Sequence, residues 1–117
     1  MDTIEEKLKK LNELVLAGKM MDAFEQFYHD DVQMQENESE PVKGKDANRE
    51  RELVFLSNIE EFRNASVRAV ATGDDVSFVV WSYDYTHKEW GVKKYTQVSV
   101  QKWKDGQIIH EQFFYNN

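Results

Sequence analysis

The hydrophobic residues of this chain change their spacing once, near Asn58, and that change limits the fold more than any other feature. Up to Leu56 the apolar residues recur every three or four positions, which is the period of amphipathic helices. From Phe62 to Tyr115 they alternate or form β-branched and aromatic runs, which are typical of strands. Helices followed by strands predict an α+β domain in which the helices cover one face of a sheet.

The first half of the chain predicts three helices and one short strand. The first helix has an apolar stripe formed by Ile4, Leu8, Leu11 and Val15, and Gly18 indicates its end. The second has a stripe formed by Met20, Ala23, Phe24, Phe27 and Tyr28. A strand over Val32–Glu36 and a loop over 37–44 follow, and Asp46 is expected to cap a third helix that runs to about Leu56.

The second half predicts an antiparallel meander of four long strands. These strands are expected over Phe62–Thr72, Val76–His87, Val92–Trp103 and Ile108–Tyr115. The turns between them are predicted at Gly73-Asp74-Asp75, Glu89-Trp90-Gly91 and Lys104-Asp105-Gly106.

Composition and charge exclude several classes of protein. The 117 residues suit one domain over 1–117, and the absence of cysteine excludes disulfides and thiolate metal sites. The net charge of −7 and the scattered Lys and Arg argue against nucleic-acid and membrane partners. The three histidines lack metal-ligand spacing, so we expect no metal and no cofactor. The charged start at Met1–Lys10 is unlike a signal peptide, which predicts a cytoplasmic protein.

Four short phrases, in order along the chain, resemble the SnoaL-like branch of the NTF2-like (cystatin-like) superfamily. They are Phe27-Tyr28-His29-Asp30-Asp31-Val32, Gly44-Lys45-Asp46-Ala47, Gly73-Asp74-Asp75-Val76 and Trp103-Lys104-Asp105-Gly106-Gln107-Ile108. The resemblance covers nearly the whole chain. It implies N-terminal helices packed on a strongly curved antiparallel sheet, with a conical pocket between them that binds a small apolar molecule. This fold serves isomerases, cyclases and dehydratases as well as non-catalytic ligand- or protein-binding modules, so both functions remain open.

The resemblance also implies a carboxylate that moves a proton next to a carbonyl group. In SnoaL-like cyclases this is an Asp near the end of the last strand, and the matching position here is Asn116, whose amide does not exchange a proton at neutral pH. Two other residues are the candidate catalytic groups. His110 is a group that titrates near neutrality, and Asp84 stands between two tyrosines, where its pKa would rise. The alternatives are a hydrogen-bonded His110 and a solvent-facing Asp84 on half-exposed strands.

Alternation along the last strand predicts which residues line the pocket. Strict period-two spacing places Ile108, His110, Gln112, Phe114 and Asn116 on one face. With Tyr28 from the second helix, the ligand-binding residues are expected to be Tyr28, Gln112, Phe114 and Asn116.

The long strands are apolar on both faces, which predicts a homodimer. Val76, Phe78 and Val80 lie on one face, whereas Val79, Trp81, Tyr83 and Tyr85 lie on the other. Because the helices can cover only one face, the other should expose a patch that a second copy buries, with Trp81 a candidate for the interface. The alternative is a monomer whose strands curl far enough to enclose both faces.

Overall fold

The computed structural model describes residues 2–116 and confirms the α+β class. Its helices are α1 (Ile4–Leu16), α2 (Met20–Phe27) and α3 (Lys45–Ser57). Its strands are β1 (Tyr28–Glu36), β2 (Val42–Lys43), β3 (Ile59–Thr72), β4 (Val76–His87), β5 (Gly91–Lys104) and β6 (Gln107–Phe114). Within this range no helix is both long and apolar enough to cross a membrane.

The joint between α2 and β1 lies earlier than the sequence predicts. The apolar stripe places Tyr28 in the second helix, but its backbone is extended, with φ −103° and ψ 133°, and it is the first residue of β1. Tyr28 is buried and pairs with Ile108 of β6, so contacts across the sheet override the helical period here. The side chain of Tyr28 therefore projects from the sheet rather than from a helix.

The sheet has the order β2-β1-β6-β5-β4-β3, and the predicted antiparallel meander of β3 to β6 is confirmed. The expectation of a wholly antiparallel sheet is wrong at one place, because β1 pairs with β6 in parallel. Hairpin turns set the direction only of consecutive strands. The pairing of the first long strand with the last is a contact between distant parts of the chain, and no local signal encodes it.

The core lies between α1, α2 and the inner face of the sheet. Its members are Leu8 and Leu11 of α1, Phe24 and Phe27 of α2, and Val32, Val79, Trp81 and Ile108 of the sheet. Trp81 is only 3% exposed, so the expectation that it lies on the outer face is wrong. It shares its face with the buried Ser77 and Val79, whereas Phe78 points outward and is 38% exposed.

A β-bulge in β6 decides which residues of that strand face inward. Trp103 pairs with Ile108, but the residue before it in β5, Lys102, pairs with His110. Ile109 therefore has no partner in β5 and is an extra residue. Beyond this bulge the alternation is inverted, and Glu111 shares the inner face with Ile108. The prediction that His110, Gln112 and Phe114 share the face of Ile108 is therefore wrong.

Asn48 attaches α3 to the edge of the sheet. Its side chain is fully buried, and its Nδ2 donates to the carbonyl oxygens of Gly44 (2.8 Å), Val42 (3.0 Å) and Val32 (3.3 Å). These bonds connect the first turn of α3 to β1 and β2. Asn48 is the one residue of α3 that is buried, and the apolar side chains of this helix are at least partly exposed. We therefore infer that the hydrogen bonds of Asn48 set the position of α3.

Replacing Asn48 by Ala should therefore lower the free energy of unfolding by about 1–3 kcal/mol, since three carbonyl oxygens each lose one of their donors. Asn64→Ala, at an exposed position on β3, is the matched control and should stay within about 0.5 kcal/mol of the original chain. Urea denaturation of both variants measures the difference. Equal midpoints for the two variants would contradict the role assigned to Asn48.

Candidate functional site

A cavity of about 1360 Å³ lies between the helices and the inner face of the sheet. Its walls are predominantly apolar and aromatic, and the aromatic side chains are Phe24, Tyr28, Phe55, Phe62, Trp81, Tyr83, Tyr85, Trp90, Tyr95, Phe113 and Tyr115. Such a volume accommodates a drug-sized organic molecule. An apolar enclosure with a few polar groups is the form that small-molecule sites take.

Glu111 is the buried acid of this cavity. It is 3% exposed, and both oxygens of its carboxylate accept hydrogen bonds. The Tyr28 hydroxyl donates to Oε1, and Gln101 Nε2 donates to Oε2 at 2.8 Å. The carboxylate is thus held in one orientation by a residue of β1 and a residue of β5.

Two more side chains extend this network into β4. Ser77 Oγ donates to Gln101 Oε1 at 2.6 Å, and Trp103 Nε1 donates to Ser77 Oγ at 2.8 Å. Both ends of the Gln101 amide are therefore hydrogen-bonded. Because its Oε1 accepts from Ser77, its Nε2 is oriented toward Glu111. A connected set of buried hydrogen bonds of this kind rigidifies the groups that it includes.

Burial raises the pKa of the Glu111 carboxyl from its ordinary 4.5 to about 7, although the hydrogen bonds from Tyr28 and Gln101 act in the opposite direction. The negative charges of Glu52 and Glu36 add to the rise. Burial and the neighbouring Glu111 raise the pKa of the Tyr28 phenol, so this hydroxyl keeps its proton. A carboxyl group with a pKa near 7 can both accept and release a proton at neutral pH.

Glu52 of α3 is a second carboxylate of the cavity wall, and its surroundings differ from those of Glu111. Burial raises the pKa of Glu52 to about 7, against the effect of Arg51 and with that of Glu36. Arg51 itself is paired with Glu36, Nη2 to Oε1, at 2.8 Å. Among residues 2–116, the Glu52 carboxylate has neither a hydrogen-bond nor an ion-pair partner.

Tyrosines line the cavity beside the two acids. Tyr83 stacks on Trp81, with ring centroids 5.5 Å apart, and burial raises the pKa of its phenol. The hydroxyls of Tyr85 and Tyr95 bond each other at 2.9 Å. Tyr83 lines the same cavity as Glu111 and Glu52, and the charges of both carboxylates add to the rise in the pKa of its phenol.

The structure places the residues predicted from sequence in two groups. Tyr28 and Asn116 line the cavity. Gln112 and Phe114 lie on the outer face of β6 because of the bulge, and Gln112 Nε2 donates to the Asn37 carbonyl at 2.7 Å. The sequence missed Glu111 and Glu52, which the cavity brings together.

Neither candidate catalytic residue faces the cavity. Asp84 lies on the outer face, where its carboxylate accepts from Arg63 Nε at 2.8 Å, as expected for a solvent-side strand residue. His110 lies on the outer face beside Lys102, and burial together with that charge lowers its pKa. The aromatic neighbours of Asp84, Tyr83 and Tyr85, point the other way, into the cavity.

A sequence signal for Glu111 did exist. It stands between Ile109 and Phe113 at period two, and a carboxylate within an apolar stripe is the informative exception in such a pattern. Glu52 gave no such signal. It lies in a run of charged residues from Arg49 to Glu52, and such a run is typical of a solvent-exposed helix face.

Comparison with known proteins places this geometry in a family. The sequence profile of the SnoaL-like domain matches residues 2–115. A candidate SnoaL-like polyketide cyclase from Mesorhizobium loti is 27% identical, with a TM-score of 0.88 over 97% of this chain and 100% of that one. No protein of curated function matches the chain in sequence.

Two more distant structures share the fold. An NTF2-like protein of unknown function from Burkholderia pseudomallei has a TM-score of 0.82 at 11% identity, covering 99% of this chain and 92% of its own. A protein from Catenulispora acidiphila with a ketosteroid isomerase-like fold, in complex with trimethylamine, has a TM-score of 0.77 at 12% identity. That match covers 97% of this chain and 88% of the other.

The raised pKa of Glu111 predicts a pH-dependent stability. Because the folded protein binds this proton more tightly than the unfolded chain, the contribution is full below about pH 4.5 and is lost as the pH rises through about 7. Between pH 4.5 and 8 the original chain should lose roughly 3 kcal/mol more of its unfolding free energy than Glu111→Gln does.

Urea denaturation of both proteins at several pH values measures this difference. Comparing slopes rather than absolute values removes the constant effect of the substitution on the Tyr28 and Gln101 hydrogen bonds. Parallel pH profiles for the two proteins would show that Glu111 titrates at its ordinary pKa.

Proposed function

Because the chain belongs to the SnoaL-like domain family, we propose that it binds a small, largely apolar carbonyl compound in the cavity and transfers a proton on it through Glu111. The observation that carries this proposal is the position of Glu111: a buried carboxyl, oriented by Tyr28 and Gln101, whose pKa of about 7 suits it to exchange a proton at neutral pH. Isomerisation, cyclisation and dehydration all begin with such a transfer.

In the proposed reaction Glu111 removes the proton from a carbon next to the carbonyl group. The electron pair of that C–H bond moves toward the carbonyl oxygen, which becomes an enolate. The Tyr83 hydroxyl, protonated and facing the cavity, donates to this oxygen. Return of the proton to a different carbon completes an isomerisation.

Two further observations support a ligand in this place. The walls of the cavity are rich in aromatic rings, and a ligand that packs against them would displace water and so strengthen electrostatic interactions with the reacting groups. The Catenulispora acidiphila relative, which is crystallised with trimethylamine, indicates that small organic molecules associate with proteins of this fold.

Hydrogen–deuterium exchange of 2-tetralone in D2O, followed by NMR, tests the proposal. The chain should accelerate exchange at the carbons next to the carbonyl, and Glu111→Gln should reduce that rate about 10²- to 10⁴-fold. His110→Ala and Asp84→Asn are the matched variants at the outer face and should keep the rate. Exchange equal to that of buffer, or unchanged in Glu111→Gln, would contradict proton transfer by Glu111.

A non-catalytic binding module is the second candidate, and the Glu111 network favours it on one point. Both oxygens of Glu111 already accept bonds from the protein, as they would if the carboxylate served only to order the core. A module of this kind binds 2-tetralone, raising the melting temperature of the chain, without accelerating exchange. The two measurements together therefore separate the candidates.

We also propose that the outer face of the sheet forms a homodimer. Trp81 is not part of the outer patch. The patch consists of Phe78 paired with Val100, and of a row across three strands formed by Val80, Val98 and Phe114. Phe78 and Phe114 are 38% and 36% exposed. A contiguous apolar patch on the outer face of a sheet suits a two-fold interface in which each copy covers the same residues of the other.

Sedimentation at micromolar concentration tests the dimer. The chain should sediment at twice its mass of 13.9 kDa, and Val98→Glu should sediment as a monomer because it places a charge in the centre of the patch. Gln26→Glu, which adds the same charge at an exposed position on α2, should remain dimeric. A monomeric original chain would overturn this proposal.

A further inference from the structure

Hydrogen-bond donors in the cavity wall are largely used within the protein. The Tyr28 hydroxyl and Gln101 Nε2 donate to Glu111, and Arg51 donates to Glu36. The hydroxyls of Tyr85 and Tyr95 bond each other. These groups are therefore closed to a ligand, which finds the Tyr83 hydroxyl open beside them.

Acceptors, in contrast, remain open. The Glu52 carboxylate faces the cavity without a partner among residues 2–116, although a half-buried carboxylate needs donors to offset its lost hydration. The rest of its surroundings supply little positive charge. Glu36 and Tyr28 face it from β1, Tyr83 from β4 and Glu111 from β6, and the adjacent Arg51 is engaged by Glu36.

The charges of the whole cavity wall point the same way. Its carboxylates are Asp22, Glu36, Glu52, Glu60, Glu89 and Glu111. Its Lys and Arg side chains are only Lys19, Arg51 and Lys93. Six acids against three such bases make the wall acidic, and the faces of Trp81 and the tyrosines carry negative π-density that also attracts cations.

We propose that the ligand of this cavity is a protonated organic amine with an apolar body, whose ammonium group binds the Glu52 carboxylate while the body packs against the aromatic wall. This inference rests on the proposed function, since it names the class of the carbonyl compound on which Glu111 acts. It assigns to Glu52 the selection of the ligand, and to Glu111 the proton transfer.

Binding of such a ligand also prepares Glu111. A positive charge near the two carboxylates removes the repulsion between them and favours the ionised form of each. The ionised form of Glu111 is the base of the proposed reaction, so a bound ammonium group would speed that step without being required for it.

Three probes with the same phenylbutyl body test the inference: 4-phenylbutylamine, 4-phenylbutan-1-ol and 4-phenylbutyrate. Their dissociation constants are measured by isothermal titration calorimetry on the full chain. At pH 8 the amine should bind at least about tenfold more tightly than the alcohol, and the carboxylate least tightly, as expected for a half-buried ion pair with an aromatic wall.

The variant Glu52→Gln should weaken the amine about tenfold and leave the alcohol within about twofold, which would show that the cavity itself is intact. Glu50→Gln removes the same charge from an exposed position on α3 and should change neither. Between pH 6 and 8 the amine stays protonated while Glu52, with a pKa of about 7, ionises, so amine affinity should rise and alcohol affinity should stay constant.

Each outcome decides a different point. Equal affinity for amine and alcohol, or an amine affinity that survives Glu52→Gln, overturns cation selection while leaving the cavity as a binding site. Absence of binding by all three probes overturns the inference together with ligand binding. Amine selection without exchange of 2-tetralone upholds the inference and removes only the proposed proton transfer.

Discussion

The hydrogen-bonded carboxylate of Glu111 is the interaction on which the inner half of the molecule depends. Through Tyr28 and Gln101 it connects the parallel pair of β1 and β6 to the antiparallel meander, and Ser77 and Trp103 continue the connection. Burying a carboxyl group among aromatic rings has a cost, which the raised pKa of Glu111 expresses. The same cost brings the pKa of the group near neutrality, so the residue that orders the core is also the one to which the proposed proton transfer is assigned.

The two acids of the cavity illustrate how a similar pKa arises in different circumstances. Glu111 is fully buried and fully hydrogen-bonded, so its geometry is fixed before any ligand arrives. Glu52 is half-buried and has no partner among residues 2–116, so water or a ligand supplies its hydrogen bonds. A fixed group suits bond-making steps, which require preorganisation, whereas an open one suits recognition.

The two faces of the sheet differ in composition because strand alternation separates their side chains. Trp81, Tyr83 and Tyr85 of β4 project into the cavity, while Phe78 and Val80 of the same strand project outward. A sheet that is apolar on both faces must cover both. The helices and the ligand cavity account for one face, and the other remains available to a second copy of the chain.

The sequence by itself determined the features that depend on near neighbours: the helices, the glycine turns, the three hairpins and the α+β class. The resemblance of four short segments to the SnoaL-like family implied the cavity. Tyr28 and Asn116, which were expected to bind its ligand, line it. Only the tertiary structure decided that β1 lies parallel to β6, that Ile109 is an extra residue, and that Glu111 faces inward. Pairing of strands far apart in the chain depends on contacts that no local period encodes, and a single bulge inverts the face of each later residue of its strand. Glu52 and Glu111, nearly sixty residues apart, line one cavity for the same physical reason: Asn48 holds α3 against β1, and β1 pairs with β6 from the other end of the chain.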